Sequence, residues 1–206
     1  MAYQIRVSPD ALRAAAVHQR EISARVSDIR ADVGALTKWL DGAWDGNASN
    51  QAIEGLFRLQ RTLAEVAEVI DQRSELLRQM AQSFENAENC VIYRAVVSSI
   101  RPATFRLGLS FNASFSGTAV RISPDEVRTV AKRIHNEAQE LRDVSRMLVS
   151  HMRALEGDWD GRACRKFCQD IDVLAEGVEF LSNEVEEFAH KIHFAAARFE
   201  EMDNSL

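Results

Sequence analysis

The sequence predicts an all-α protein in which two helix-turn-helix hairpins pack as an antiparallel four-helix bundle. Three observations support this fold class: the chain contains an internal duplication, its apolar residues recur at spacings of three and four, and its 206 residues include only 3 prolines and 9 glycines. Apolar spacing near 3.5 residues is typical of helices that pack nearly parallel to one another. The scarcity of turn-forming residues argues against a fold of many short strands.

The duplication has an offset of 115 residues. Residues 6–89 align with residues 121–204 without a gap, and the matches concentrate at the start, middle and end of each copy. The copies share the sequences Ile-Arg-Val-Ser-Pro-Asp and Val-Arg-Ile-Ser-Pro-Asp at their starts, Trp-Asp-Gly in the middle and a Phe-Glu pair near the end. The sequence therefore predicts a first hairpin over residues 1–89, a linker over 90–119 and a second hairpin over 120–206.

Each copy reads as two long helices joined by a tight turn. Ser8 and Ser123 precede a Pro-Asp pair, which supplies an N-cap hydroxyl, a proline in the first helical position and an acid for the helix dipole. Ser123 and Glu126 also have the spacing of a capping box. The predicted core is the apolar stripe of the four helices: Ile22, Val26, Ile29, Val33, Leu36 and Leu40; Leu56, Leu59, Leu63, Val66, Ile70, Leu77, Met80 and Phe84; Val127, Val130, Ile134, Leu141, Val144, Leu148 and Leu155; Phe167, Ile171, Leu174, Val178, Leu181, Val185, Phe188, Ile192 and Phe199.

The linker has no counterpart within the repeat. Its first part can prolong the second helix, whereas Phe105, Leu107, Leu109 and Phe111 alternate with small or polar residues, as in an extended segment with one apolar face. Three interpretations stay open: a connector that covers the bundle surface, a docking strand for a partner, and a disordered segment. Hairpins of like orientation need only a few linking residues, whereas antiparallel hairpins need a span of about 50 Å. The long linker therefore favours the antiparallel arrangement.

The composition excludes several functional classes. A net charge of −6 argues against nucleic acid or an anionic membrane as the main partner. No apolar run approaches the 18 or more residues that a membrane span requires, and the amino-terminal residues lack the layout of a signal peptide. We therefore expect a protein without a membrane span that, if it leaves the cell, does not use the common secretory route.

Potential catalytic and metal-binding motifs are weak. Glu187 and His190 have the Glu-x-x-His spacing of di-iron bundles, but the repeat offers no second copy, and we expect His190 to be a surface residue. Cys164 and Cys168 lie one turn apart and are interpreted as packed apolar residues, while Cys90 is a single thiol at the linker boundary. The sequence thus predicts no catalytic residue, cofactor or metal ligand, and a protein that is not an enzyme.

The two Trp-Asp-Gly sequences resemble the Trp-X-Gly turn of the WXG family, the early-secreted-antigen-like substrates of type VII secretion. The resemblance covers residues 5–89 and 120–204. The turn residues are Trp44, Gly46, Trp159 and Gly161: glycine permits the positive φ of a tight reversal, and the indole is expected to close the end of the bundle. The resemblance implies that a turn and its partner's tail together contact the membrane ATPase of the secretion system.

The tails resemble the family's export signal, an aromatic residue followed four positions later by an acid. Phe84 and Glu88 form this motif in the first copy, and Phe199 and Asp203 form it in the second, with phenylalanine where the family has tyrosine. The second tail lies near the carboxyl end of the sequence, so we expect Phe199 and Asp203 to act as the signal. An alternative interpretation makes Phe84 and Phe199 the last core residues of their stripes.

The resemblance implies a non-enzymatic substrate or effector of type VII secretion, made in the cytoplasm, exported folded by this non-classical route and able to associate with the cell surface. Its expected external partner is the secretion ATPase. Within the chain, the two hairpins are expected to pair with each other, and the competing arrangement is a homodimer that exchanges hairpins. The alternative function is a cytosolic helical scaffold or adaptor that kept the fold without export. A metal-dependent bundle enzyme is disfavoured.

Overall fold

The computed structural model describes residues 8–85, 121–159 and 161–203. They form four helices: α1 over Pro9–Ala43, α2 over Asn47–Glu85, α3 over Pro124–Asp158 and α4 over Arg162–Asp203. At positions 162, 202 and 203 the description covers the backbone alone. The predicted linker over 90–119, together with Glu88 and Cys90, lies outside the described residues.

The helices begin where the Ser-Pro-Asp sequences predict. Pro9 and Pro124 are the first residues of α1 and α3, and the Ser8 hydroxyl accepts a hydrogen bond from the Ala11 N–H at 3.2 Å. The capping box predicted for Ser123 is replaced by a different contact, because the Ser123 N–H donates to the Ala43 carbonyl at 2.8 Å. A carbonyl from the other hairpin thus takes the place predicted for the Glu126 side chain.

Helices α1 and α2 form the first hairpin, α3 and α4 form the second, and the two hairpins pack as an all-α bundle. The contacts divide the chain into two units, each of which contains one segment of every helix. Within the described residues, the first unit holds residues 8–26, 65–85, 143–159 and 161–178, and the second holds 27–64, 121–142 and 179–203. Each unit therefore joins the open end of one hairpin to the turn of the other, which is the predicted antiparallel arrangement.

The core of both units consists of the predicted apolar stripes. Every predicted core residue is buried except Phe84 and Phe199, which are half-buried at the ends of their stripes. Small hydroxyls link the helices within each hairpin: Ser23 donates to the Ala67 carbonyl at 3.1 Å and Ser145 donates to the Ala175 carbonyl at 3.0 Å. These bonds satisfy buried polar groups at points where neighbouring helices come close.

None of the helices in the described part of the chain has an apolar stretch long enough to cross a lipid bilayer.

Candidate functional site

Both predicted turns are built on glycine. Gly46 has a φ of 115° and Gly161 a φ of 120°, and L-residues with a side chain rarely adopt such values. The glycines of the two reversals therefore have nearly the same backbone φ angle. Among the residues that the structure describes, no atom outside the immediate neighbours lies within 4 Å of the position that a Cβ would occupy on Gly161, so glycine is required there for its conformation and not for space.

The tryptophans of the turns are buried. Trp44 is 1% exposed and Trp159 is 2% exposed, although each lies at the end of a long helix. The Trp159 ring packs against Phe167 with ring centroids 5.9 Å apart, and the Trp44 carbonyl accepts a hydrogen bond from the Ser49 hydroxyl at 2.5 Å. Burial of an aromatic side chain of this size contributes strongly to stability, and both indoles are buried to this extent.

The first turn binds the entry of the second hairpin through its backbone. Trp44 and Ile122 form an antiparallel bridge, in which the Asp45 N–H donates to the Arg121 carbonyl at 2.7 Å. The side chains of Arg121 and Asp45 approach to 3.7 Å. At the other turn, the Ser8 N–H donates to the Asp158 carbonyl at 3.3 Å. Each turn is thus joined by hydrogen bonds to the residues that begin the other hairpin.

The second helix of each hairpin, which we call the returning helix (α2 or α4), is held at its end by an arginine of the first helix of the same hairpin. In the second copy, the Arg128 guanidinium donates to both carboxylate oxygens of Glu200, the residue that follows Phe199. In the first copy, Arg13 forms the equivalent ion pair with Glu85, the residue that follows Phe84. The hydrogen bond from the arginine lowers the pKa of each glutamate, which keeps both carboxylates ionised near neutral pH.

The predicted signal residues are therefore described in part. Phe199 directly precedes Glu200 in the sequence and belongs to the same unit as Trp44. Arg128, the partner of Glu200, lies in the first turns of α3, just after Ile122, which forms the bridge to Trp44. Phe84 has the equivalent place in the other unit, which contains Trp159. The side chain of Asp203 and the whole of Glu88 lie outside the described residues.

A second group of residues, which could bind a metal ion, is not predicted by the sequence. His135 of α3 lies beside Glu186 and His190 of α4, and one potential ligand atom from each residue lies within 4.8 Å of the other two. Spacing along the sequence pairs His190 with Glu187, but the structure groups His190 with Glu186, which lies one full turn away on the same face of α4. The i, i+4 spacing of Glu186 and His190 was available as a signal, whereas the partner His135 on α3 required the packing of the two helices.

The cysteines behave as predicted where the structure describes them. Cys164 and Cys168 are both 4% exposed and unbridged, with sulfur atoms 3.7 Å apart. Burial raises the pKa of the Cys168 thiol well above its usual range, so the thiolate that metal binding or nucleophilic attack requires is disfavoured. These two residues are part of the packing around the second turn.

Comparison with protein families gives a match to each half of the duplication. The model of the WXG100 family, described as proteins of 100 residues with WXG, matches residues 4–89 and again residues 119–204. The chain belongs to the WXG100 family. The Trp-Asp-Gly turns and the duplicated hairpins described above are thus two WXG100 units in one chain. Membership in this family suggests a type VII secretion substrate and a helical protein that is not an enzyme.

Searches of curated proteins and of solved structures found no significant match to this WXG100 chain.

Proposed function

We propose that this tandem WXG100 protein is a non-enzymatic substrate of type VII secretion that is exported as a folded bundle and is recognised by the membrane ATPase through Phe199 and Asp203. The observation that carries the proposal is the double family match, because it gives one chain both members of a WXG pair. A chain that contains its own partner reaches the secretion machinery already assembled.

The ion pair between Arg128 and Glu200 supports a role for the adjacent aromatic residue. It fixes the last turns of α4 against α3, so that a receptor meets an ordered helix and loses less conformational entropy on binding than it would with a frayed tail. Phe199 is half-buried, which leaves part of its ring accessible while the rest packs on the bundle. A core role and a recognition role are therefore compatible for this residue.

The first turn is the second element of the proposed recognition surface. Trp44 itself is buried, so its contribution is to hold the turn against the start of the second hairpin, through the bridge to Ile122. The exposed groups at this end of the second unit include Asp45 and Arg121, 63% and 82% exposed. We propose that these groups and the tail of α4 together form the surface that contacts the ATPase.

The proposal is tested by export from the native host. Wild-type protein, the Phe199→Ala/Asp203→Ala variant and the wild type in a strain without the type VII ATPase are compared by the amount of intact protein in the medium. We expect export to be lost without the ATPase and to fall at least about tenfold in the variant, a factor that corresponds to about 1.4 kcal/mol of lost binding free energy.

The matched control is Phe84→Ala/Glu88→Ala, which removes the corresponding tail of the first copy and should export normally. Loss of export in this variant alone would assign the signal to the first copy. Protein that stays inside every strain would overturn the export proposal and favour the cytosolic scaffold. Thermal unfolding of each purified variant separates loss of signal from loss of folding.

A further inference from the structure

The second hairpin carries a histidine and glutamate cluster that the proposed export function does not use. His135 Nδ1 lies 3.4 Å from Glu186 Oε1, and the rings of His135 and His190 have centroids 6.1 Å apart in an edge-to-face arrangement. His135 and Glu186 are partly buried, and His190 is exposed. The three side chains come from two facing helices, so their approach depends on the packing of α3 against α4.

A neighbouring arginine orients the carboxylate of the cluster. Arg142 donates to Glu186 Oε2 and to the Asn183 side-chain carbonyl, which leaves Oε1 directed toward His135. Glu186 therefore has one carboxylate oxygen fixed by Arg142 and the other available, which is how an outer group commonly positions a metal-binding carboxylate.

The first copy has no such cluster at the corresponding positions. His135, Glu186 and His190 correspond to Arg20, Asp71 and Glu75, and His193 corresponds to Arg78. In that copy, Arg78 donates to both oxygens of Glu75, and Arg20 helps to lower the Glu75 pKa. The same hairpin thus forms with ordinary surface ion pairs at these positions in the first copy. The packing of the hairpin therefore does not require the histidines of the second copy.

We propose that His135, Glu186 and His190 form a binding site for a divalent transition metal of the zinc type. Zinc is bound by imidazole nitrogen and carboxylate oxygen at about 2.0–2.2 Å, which places tetrahedral ligand atoms about 3.3 Å from one another. The His135–Glu186 pair already has this separation at 3.4 Å, and His190, whose ligand atom lies within 4.8 Å of both, is exposed and can move closer to join them. Three protein ligands leave the remaining position of the metal open to water.

The donor set selects the class of metal. Two imidazoles favour zinc, nickel, cobalt and copper, whereas magnesium and calcium require a set dominated by oxygen. Because the site joins α3 to α4, a bound metal is expected to stabilise the second hairpin against unfolding. This inference is independent of the export proposal, and each can fail without the other.

The test is calorimetric titration of the metal-free full-length protein with Zn²⁺ near neutral pH, with Mg²⁺ as the comparison ion. We expect one saturable Zn²⁺ site per chain and no Mg²⁺ binding at the same concentrations. His135→Ala, His190→Ala and Glu186→Gln should each weaken Zn²⁺ binding at least about tenfold. Circular dichroism of each variant checks that the helices persist, and His135→Asn serves as a milder variant if His135→Ala destabilises the fold.

Three controls identify the ligands. The Arg20→Ala/Glu75→Ala variant alters the corresponding positions of the first copy and should bind Zn²⁺ as the wild type does. Cys164→Ser/Cys168→Ser removes the described thiols, and His18→Ala/His151→Ala removes the other close histidine pair, whose ring centroids lie 4.4 Å apart. Binding lost in either of these two variants but kept in His135→Ala and His190→Ala would overturn the proposal, as would the absence of saturable Zn²⁺ binding by the wild type.

Discussion

The two copies of the WXG100 unit agree where the backbone reverses and where the returning helix ends. The turns have glycines with φ values of 115° and 120°, and their tryptophans are almost fully buried. The returning helices are held by Arg13–Glu85 in the first copy and by Arg128–Glu200 in the second. These features define the unit, because they persist in two sequences that have diverged over most of their length.

The copies differ on the face between their own two helices and at isolated core positions. The groove beside Arg13 in the first copy contains Arg20 and Arg78, and the corresponding groove beside Arg128 contains His135 and His193. Arg73, which is 4% exposed in the first copy, corresponds to the core residue Phe188 in the second. The shared motifs thus maintain the hairpin, while the side chains of the groove differ in chemistry between the two copies.

The largest expected effect concerns the tryptophans. Trp44→Ala and Trp159→Ala should each lower the free energy of unfolding by about 3–5 kcal/mol, because each leaves a large cavity at the end of a buried stripe. In the second copy, Trp159→Ala also removes the ring contact with Phe167. Urea unfolding measures both. A loss under 1 kcal/mol for either variant would contradict the role of the indole in closing the bundle.

A smaller effect is expected at the glycine of the second turn. Gly161→Ala should destabilise the protein by about 1–3 kcal/mol because alanine is strained at a φ of 120°. Gly157→Ala is the matched control: Gly157 lies in α3 with free space around its Cβ position, and alanine should stabilise the helix there by about 0.5–1 kcal/mol. Thermal unfolding of the two variants should therefore shift in opposite directions, and shifts of the same sign would refute this assignment.

A pH effect is expected from one half-buried carboxyl of the second copy. Burial, followed by the charges of Asp32 and Glu140, raises the pKa of Glu137 to about 7 from an ordinary value of 4.5, whereas the corresponding residue of the first copy is the buried Ile22. Between these two values the folded state holds a proton that the unfolded state releases, so stability falls as the pH rises from 4.5 to 7.

Glu137→Gln should remove this loss of stability at higher pH. The variant should be more stable than the wild type by about 1 kcal/mol at about pH 8, a figure reduced to allow for solvent screening of a half-exposed group, and the difference should shrink below about pH 4.5. Urea unfolding across this range measures it, with the exposed Glu179→Gln as control. Parallel pH profiles for the wild type and Glu137→Gln would show that this carboxyl does not couple to folding.

The smallest effect is expected at the paired tails. Arg128→Ala and Arg13→Ala each remove the partner of an exposed glutamate, and the expected change is local: faster amide exchange in the last turn of α4 or α2, with the global unfolding transition nearly unchanged. Arg128 is 29% exposed and Arg13 is 44% exposed, so the effect should be larger in the second copy. Hydrogen exchange followed by mass spectrometry compares them, and equal exchange in wild type and variants would mean that the pairs do not hold the helix ends.

The sequence predicted the fold because its signals are local and repeated. Heptad spacing indicated the helices, Ser-Pro-Asp marked their starts, and Trp-Asp-Gly marked the turns, each twice. The antiparallel arrangement followed from the length of the linker. By contrast, the approach of His135 to Glu186 and the donation of the Ser123 N–H to Ala43 depend on which faces meet after packing, and no local pattern encodes them. Spacing along α4 alone pairs His190 with Glu187. The position of α3, which brings His135 beside Glu186, makes Glu186 the glutamate of the cluster.

One chain contains both members of a WXG100 pair, folded against each other. Size-exclusion chromatography with light scattering on the full-length protein tests this arrangement most directly. We expect a single species at the chain mass of 23.1 kDa over a wide range of concentration. A stable species at twice that mass would contradict it, because the hairpins would then find their partners in a second chain.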